Sequence, residues 1–367
     1  MNQDRIRSVC SQIKAAGLDG LLVCPSEELL FLMGFSPMMC ERFQGMFLTA
    51  GGGSFYVCNQ LYHGEISHAF GAEMPIYTWL DGESMTEAVS RALEENGLGG
   101  GGRSGCRLGV NSSAQAFNIL DVAGACGIQF VNALDVLEEA RIIKSNDALS
   151  CLRKAAGIAD KMYDKAIAFV KPGMSEADIR RFLLEGMASA GGEKCWAIVA
   201  TGPNSSYPHY TGDGRSVLEK DVVLLDFGCA VNGLYSDMSR TFFIGGISDE
   251  ERAIYEIVLQ ANQAGEAAAV EGAFIPDVDA AAREVITAAG YGDAFFNRLG
   301  HGIGYMIHEG PDIKKNNLRK LRPGMVFSIE PGIYLAGQVG MRIEDIVAVT
   351  EGGNEILNKA PKEMIIV

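Results

Sequence analysis

Short apolar runs alternate with amphipathic segments along the first third of the chain. The runs are GLLVC (20–24), MFLTA (46–50), SFYVC (54–58), RLGV (107–110) and IQFV (128–131). Between them, SMTEAVSRALEENG (84–97) places Val89 and Leu93 on one helical face. This alternation predicts an α/β domain over residues 1–140, a sheet flanked by helices. The stretch GLGGGGRSG (97–105) precedes a strand rather than a helix, which favours a surface loop over a phosphate-binding loop.

The pattern changes to long amphipathic helices in the remaining residues, 141–367. The polar, charged stretch EEARIIKSNDALS (138–150) marks the boundary between the two domains. Asn146 or Asp147 is expected to cap the helix that follows. Apolar residues then recur with the helical period until KPG (171–173), where we expect the helix to stop.

Two helical pairs are predicted in this second domain. SEAD (175–178) fits a capping box that begins the second helix of the first pair. The other pair is expected around 249–269 and 276–289. Each pair is followed by strand-forming segments, so the order helix, helix, strands occurs twice and indicates an internal duplication.

The segment DFGCAVNGLYSD, from Asp226 to Asp237, places two acids on predicted core β-structure. Asn232-Gly233 favours a two-residue type I′ hairpin turn, because both central residues of that turn need a positive φ. A turn centred there pairs Asp226 with Ser239. Asp226 and Asp237 then lie on one face of the hairpin as diagonal neighbours. Two adjacent carboxylates in an apolar sheet share a proton or bind a cation, unless the hairpin is solvated and both are ordinary surface acids.

The composition is typical of an ordinary soluble globular protein. It has 367 residues, 48% of them hydrophobic, and a net charge of −15. That charge disfavours nucleic acid and anionic membranes as partners, and it is compatible with divalent cations. The N-terminal residues lack the features of a signal peptide, and no apolar run is long enough to span a membrane. The nine scattered cysteines form no C-x-x-C pair, so we expect a reducing, cytoplasmic location.

Three later segments add ionisable residues on or beside predicted strands. They are LGHGIGYMIHEGPDI, VFSIEPGIY and GMRIEDIVAV, the last two with Glu330 at a strand end and Glu344 within a strand. With the hairpin they give one imidazole and four carboxylates: Asp226, Asp237, His301, Glu330 and Glu344. Four carboxylates balance the charge of two divalent cations, and oxygen-rich ligands favour a hard ion such as Mn²⁺. Co²⁺ and Zn²⁺ are alternatives.

These segments resemble the metallopeptidase superfamily that contains methionine aminopeptidase, Xaa-Pro aminopeptidase and prolidase. The resemblance covers Ile143–Val367 and implies an α+β pita-bread fold with pseudo-twofold helix–helix–strand repeats. SEELLFLMGF (26–35) resembles the creatinase-type N-terminal domain of the proline-specific members. The resemblance also implies the metal ligands: Asp226 binds one metal, His301 and Glu330 bind the other, and Asp237 and Glu344 bridge both.

Further matches are similar to the proline-specific branch. His209 in GPNSSYPHY matches a substrate-binding histidine, and His308 in IHEGP matches one that contacts the substrate carbonyl. Arg342 matches an arginine beside the bridging glutamate, with a catalytic or substrate-binding role. Glu330 is implied as the general base. Tyr305 departs from the family pattern, and we expect its ring to narrow the substrate pocket.

The substrate class depends on Asp312. Some prolidases place an arginine soon after the His-Glu pair to hold the carboxylate of a dipeptide. An acid is a poor host for a carboxylate, so we expect an Xaa-Pro aminopeptidase that acts on longer peptides. The alternative is an Xaa-Pro dipeptidase (prolidase) in which another cation, such as Arg342, binds the carboxylate.

Two other classes use the same scaffold. One is a small-molecule amide hydrolase and the other is a non-catalytic peptide-binding protein, which usually lacks the ligands. The five matched ligands disfavour the second class. The resemblance also implies proline-containing peptides as partners and a homodimeric assembly.

Overall fold

The structure is a computed structural model that describes residues 3–71, 74–99 and 105–367. The chain divides into two compact units, residues 1–141 and 142–367. Residues 100–104 of the predicted glycine-rich loop lie outside the described residues. Within the described ranges, no helix combines the length and the apolar character that crossing a bilayer requires.

The first unit is a mixed sheet with helices, as the alternating pattern predicts. Its helices are α1 (Gln3–Ala15), α2 (Glu27–Met33), α3 (His63–Phe70), α4 (Met85–Glu95), α5 (Ala116–Cys126) and α6 (Leu134–Arg141). Its strands are β1 (Gly20–Val23), β2 (Gly45–Thr49), β3 (Ser54–Asn59), β4 (Ile76–Trp79), β5 (Cys106–Val110) and β6 (Ile128–Asn132). The sheet order is β4-β3-β2-β1-β5-β6, with β5 parallel to both neighbours. The α/β prediction is confirmed.

The second unit contains four long helices within its described residues. They are α7 (Asn146–Phe169), α8 (Glu176–Ser189), α9 (Asp249–Ala268) and α10 (Ile275–Ala288). The expected cap of α7 was wrong by one residue, because the Ser145 hydroxyl accepts from the backbone N–H of Ala148. The predicted capping box of α8 is confirmed, with Ser175 and Asp178 bonded reciprocally.

Antiparallel sheets follow each helical pair. The strands are β7 (Glu193–Thr201), β8 (Val222–Val231), β9 (Leu234–Tyr235), β10 (Met238–Phe243), β11 (Gly300–Gly302), β12 (Glu309–Ile313), β13 (Val326–Ile329), β14 (Gly332–Leu335), β15 (Val339–Arg342), β16 (Asp345–Thr350) and β17 (Gly353–Ile356). One sheet has the order β10-β8-β7 with β9 on β8, another is β12-β11-β13-β16-β17, and β14 pairs with β15. The helix–helix–strands order therefore occurs twice, as expected.

The predicted hairpin has the predicted register. Asn232 and Gly233 have φ of 50° and 73°, and Asp226 pairs with Ser239. Alternate residues of β8, including Leu225 and Phe227, are buried in a cluster with side chains of α7 and α8. Because strand side chains alternate, Asp226 points to the opposite face, away from these helices.

Candidate metal centre and substrate cavity

Two acids of the hairpin and one glutamate meet on that opposite face. Carboxylate oxygens of Asp226, Asp237 and Glu344 lie within 4.8 Å of one another. All three residues are buried, with 6%, 3% and 2% exposure. Ionised groups so deeply buried need opposite charges nearby, which excludes the solvated-hairpin alternative.

His301 enters the same cluster from β11. Its Nε2 lies 3.6 Å from Asp237 Oδ2 and 3.3 Å from Glu330 Oε1. Its Nδ1 lies 3.1 Å from the carbonyl oxygen of Gly302, which can only accept, so Nδ1 carries the proton. Burial and the charge of His308 lower the pKa of His301 well below its usual range, which keeps the ring neutral. The Nε2 lone pair is therefore directed toward the carboxylates.

Close backbone packing holds His301 on both sides. A Cβ at Gly300 would lie 1.8 Å from the carbonyl oxygen of Ser328, and one at Gly302 would lie 2.0 Å from that of Gly310. Only glycine fits at either position. The backbone N–H of His301 also donates to the Ser328 hydroxyl at 3.1 Å.

The two glutamates come from strand ends rather than strand interiors. Glu330 directly follows β13, as predicted, and Ser328 Oγ lies 3.3 Å from its Oε1. Glu344 was expected within a strand, but it lies in the short break between β15 and β16. That break is stabilised by tertiary contacts, because the Glu344 N–H donates to Ser239 O and its Oε2 accepts from Ser239 Oγ at 2.7 Å.

Electrostatics show that the cluster carries an excess of negative charge. Burial, followed by the charges of Glu344 and Asp226, raises the pKa of Asp237 well above its usual range. Burial and the charge of Glu330 do the same for the pKa of Glu344. Burial raises the pKa of Glu330 to about 7. Without bound cations, these acids reduce their mutual repulsion by binding protons.

The donor atoms fit divalent cations. Among the described residues, Asp226 Oδ1, Asp237 Oδ1 and Glu344 Oε1 are buried without a hydrogen-bond partner. His301, Glu330 and Glu344 form a second group of possible ligand atoms within 4.8 Å. Oxygen atoms with one imidazole suit Mn²⁺-like and Zn²⁺-like ions. The structure thus brings together all five residues that the sequence predicted as ligands.

Arg342 is engaged with the cluster on all sides. Its Nη2 donates to Asp226 Oδ2 at 2.5 Å, its Nε to Ser239 Oγ at 2.7 Å and its Nη1 to Tyr334 Oη at 2.8 Å. Only 2% of the residue is exposed. Arg342 therefore orients Asp226. It also lines the cavity described below, so its role in binding a substrate carboxylate stays a prediction.

A cavity of about 490 Å³ opens beside the cluster. His209 and His308 both line it, and their ring centroids lie 6.3 Å apart. The ring centroids of His308 and His301 lie 4.2 Å apart. Trp196 and Ile198 contribute an apolar wall.

Tyr305 does not line this cavity, contrary to expectation. It packs instead against the apolar cluster that contains Leu152, Ala230 and Ile303. The ring that was expected to narrow the pocket thus packs, partly buried, against the adjacent core.

The sequence analysis missed Arg298, which lines the cavity. Its Nη1 donates to Asp312 Oδ1 at 2.6 Å, and Lys314 binds the other oxygen of Asp312 at 2.5 Å. Its Nε and Nη2 have no hydrogen-bond partner among the described residues. Asp312 is therefore neutralised by two cations, and it holds one of them, Arg298, at the cavity. The expectation that the charge of Asp312 would disfavour a substrate carboxylate did not include these cations. The only local signal was an arginine three residues before His301.

Comparisons with known proteins agree with this geometry. Residues 150–351 match metallopeptidase family M24, and residues 5–143 match the creatinase/prolidase N-terminal domain. The chain is 36% identical to a probable dipeptidase, PepE, of Mycobacterium tuberculosis, covering 96% of this chain and 93% of that protein. It is 30% identical to an Xaa-Pro dipeptidase of Pyrococcus horikoshii over 99% of both chains.

Solved structures show the same fold. Recombinant prolidase from Thermococcus sibiricus is 31% identical, with a TM-score of 0.92 and full coverage of both chains. X-Pro aminopeptidase from Thermotoga maritima is 25% identical, with a TM-score of 0.83 over 99% of both chains. The fold expected from the sequence resemblance is confirmed.

Proposed function

Because this chain belongs to metallopeptidase family M24 and is a metal-dependent hydrolase, we propose that it cleaves Xaa-Pro dipeptides. This proposal replaces the aminopeptidase expected from the sequence. The relatives described above include a probable dipeptidase and an Xaa-Pro dipeptidase, which supports the dipeptide substrate.

The observation that carries this proposal is the position of Arg298 at the cavity. A dipeptide differs from a longer peptide by a free carboxylate directly on the proline residue. Arg298 lines the cavity, and its Nε and Nη2 have no hydrogen-bond partner among the described residues. A guanidinium binds a carboxylate through paired hydrogen bonds, so it favours a dipeptide over an extended chain.

The proposed ligands of two divalent cations are the five residues of the cluster: Asp226, Asp237, His301, Glu330 and Glu344. When bound, such cations supply Lewis-acid polarisation of the scissile carbonyl and lower the pKa of water. The neutral His301 ring presents Nε2, and Arg342 holds Asp226 in a fixed orientation. Manganese as the native ion, the homodimer and the cytoplasmic location stay predictions.

Proton transfer is assigned to Glu330. Its carboxylate accepts the proton of the water that attacks the scissile carbonyl carbon, and it then delivers that proton to the proline nitrogen. The nitrogen of an Xaa-Pro bond carries no hydrogen, so it needs this proton to leave as a secondary amine. His308 is placed beside His301, and we assign it a hydrogen bond to the scissile carbonyl oxygen.

Recognition of the proline ring is assigned to the cavity walls. Proline lacks the amide N–H that a hydrogen-bond acceptor of the protein could recognise, so the shape of the cavity must distinguish it. Trp196 and Ile198 provide an apolar surface, and His209 faces His308 across the cavity.

The test is a matched set of substrates: Ala-Pro, Ala-Pro amide, Ala-Pro-Ala and Ala-Ala, each assayed with Mn²⁺ and after chelation. We expect metal-dependent cleavage of Ala-Pro well above all the others. Preferred cleavage of Ala-Pro-Ala would favour the aminopeptidase alternative, which the similarity to X-Pro aminopeptidase supports. Absence of cleavage of any substrate would refute both.

A further inference from the structure

A single asparagine joins the two segments that carry the glutamates of the cluster. Asn262 lies on α9 and is fully buried. Its Nδ2 donates to the carbonyl oxygen of Ile329 at 3.1 Å and to that of Ile343 at 3.3 Å. These are the residues directly before Glu330 and Glu344. One amide group therefore links the end of β13 to the break between β15 and β16.

Lys362 fixes the orientation of this amide. Its Nζ donates to Asn262 Oδ1 at 2.9 Å and to Glu266 Oε1 at 2.6 Å, and it lies 2.8 Å from Asp345 Oδ2. An ammonium group can only donate, so the side facing Lys362 must be the amide oxygen. The NH₂ group is consequently directed at the two carbonyl oxygens, and both of its hydrogens have an acceptor.

The segment around Glu344 is held from its other side by a buried guanidinium. Arg240 Nη1 donates to the carbonyl oxygen of Glu344 at 2.7 Å, and its Nη2 donates to Asp345 Oδ1 at 2.6 Å. Arg240 is fully buried. Asn262 and Arg240 thus bind the carbonyl oxygens of the two peptide groups that flank the Glu344 Cα. For Glu330 the corresponding contacts are Asn262 and the N–H bond to Leu299 O.

We propose that Asn262, oriented by Lys362, is a positioning residue that sets the distance between Glu330 and Glu344 for metal binding. This inference rests on the proposed function, because it requires both glutamates to be metal ligands. Residues that orient ligands without touching the ion change metal affinity by about 10- to 100-fold when replaced. Asn262 does so through the backbone rather than through the carboxylates.

The decisive variant is Asn262→Asp. It keeps the size of the side chain and an oxygen for Lys362, and it replaces the shared donor by an oxygen that repels both carbonyls. Asn354→Asp is a matched control, because Asn354 Nδ2 also donates to two carbonyl oxygens, those of Glu266 and Ala269, and neither precedes a proposed ligand. Mn²⁺ binding to the metal-free full chain is measured by titration calorimetry, with thermal unfolding of each metal-free variant.

We expect Asn262→Asp to weaken Mn²⁺ binding by about 10- to 100-fold, with Asn354→Asp close to wild type. The metal-free Asn262→Asp chain should still unfold cooperatively, at a lower midpoint than Asn354→Asp because two buried carbonyl oxygens lose their donor. Unchanged Mn²⁺ affinity in Asn262→Asp, or an equal loss in Asn354→Asp, would overturn the inference. If Asn262→Asp does not fold, Lys362→Gln replaces it. We then expect about a 10-fold loss, at the lower end of that range, and unchanged affinity would overturn the inference.

These measurements distinguish a failure of the metal-binding inference from a failure of the proposed peptidase activity. Wild-type chain that binds Mn²⁺ but does not cleave Ala-Pro would refute the proposed function while the Asn262 comparison still holds. Wild-type chain that binds no Mn²⁺ would refute both. A Co²⁺ absorption spectrum that changes in Asn262→Asp and not in Asn354→Asp would show that ligand geometry has moved.

Discussion

Replacement of Arg298 by glutamine should abolish the preference for a free substrate carboxylate. Arg298 is the cation that Asp312 holds at the cavity, whereas most donors of Arg342 are engaged by Ser239, Tyr334 and Asp226. Glutamine keeps most of the length of the side chain and a hydrogen-bonding end, but it removes the charge. The wild-type chain should therefore distinguish Ala-Pro from Ala-Pro amide, and the Arg298→Gln variant should not.

The size of the effect follows from the contact that is lost. A hydrogen bond to a charged group contributes roughly 1.5–3 kcal/mol. At 1.36 kcal/mol for each factor of ten, this corresponds to about 10- to 150-fold in kcat/KM. The Arg298 side chain is 33% exposed, so solvent screening moves the expected ratio toward the lower end of that range.

The assay compares kcat/KM for Ala-Pro and Ala-Pro amide in each variant. Lys315→Gln is the matched control, because it removes a positive charge from an exposed position shortly after β12, the strand that carries Asp312. We expect that control to keep the wild-type ratio. An equal loss of kcat/KM for both substrates in Arg298→Gln would refute the reasoning that Arg298 binds the carboxylate. So would a wild-type ratio of kcat/KM for Ala-Pro to that for Ala-Pro amide near one.

Three further variants test other parts of the molecule. Glu330→Gln should fold, by circular dichroism, yet lose nearly all turnover because the proton carrier is gone; near-normal kcat would contradict the role. His209→Ala should raise KM or lower kcat for Ala-Pro with its metal content intact, whereas loss of metal would make it a ligand. Arg240→Met should lower the free energy of unfolding by roughly 3–5 kcal/mol, because it leaves Asp345 buried with Lys362 alone. Urea unfolding measures this loss, and a change below about 1 kcal/mol would show that the ion pair is dispensable.

Local chemistry explains why the hairpin could be predicted and Arg298 could not. The turn at Asn232-Gly233 is determined by the φ angles those two residues tolerate, and the register of Asp226 follows from it. The position of Arg298 at the cavity depends instead on Asp312, which lies on β12, 14 residues later in the chain. No periodicity of the sequence carries that information.

Tertiary contacts also account for the smaller errors. Glu344 leaves the strand because Ser239 and Arg240 bind its backbone, and both lie about a hundred residues earlier in the chain. In the run Ser-Asn-Asp, three consecutive residues can each cap a helix, and the structure uses Ser145. Tyr305 follows a glycine-rich motif, but its direction is set by the apolar cluster into which it packs.

The glycines on either side of His301 have a consequence for mutational scanning. No side chain fits at Gly300 or Gly302, because a carbonyl oxygen occupies the place of each Cβ. In a library scored by activity, both positions should be as intolerant as His301 itself, although neither has a side chain to bind substrate or metal. A scan of this chain would therefore overcount its catalytic residues unless each inactive variant were also scored for the amount of folded protein.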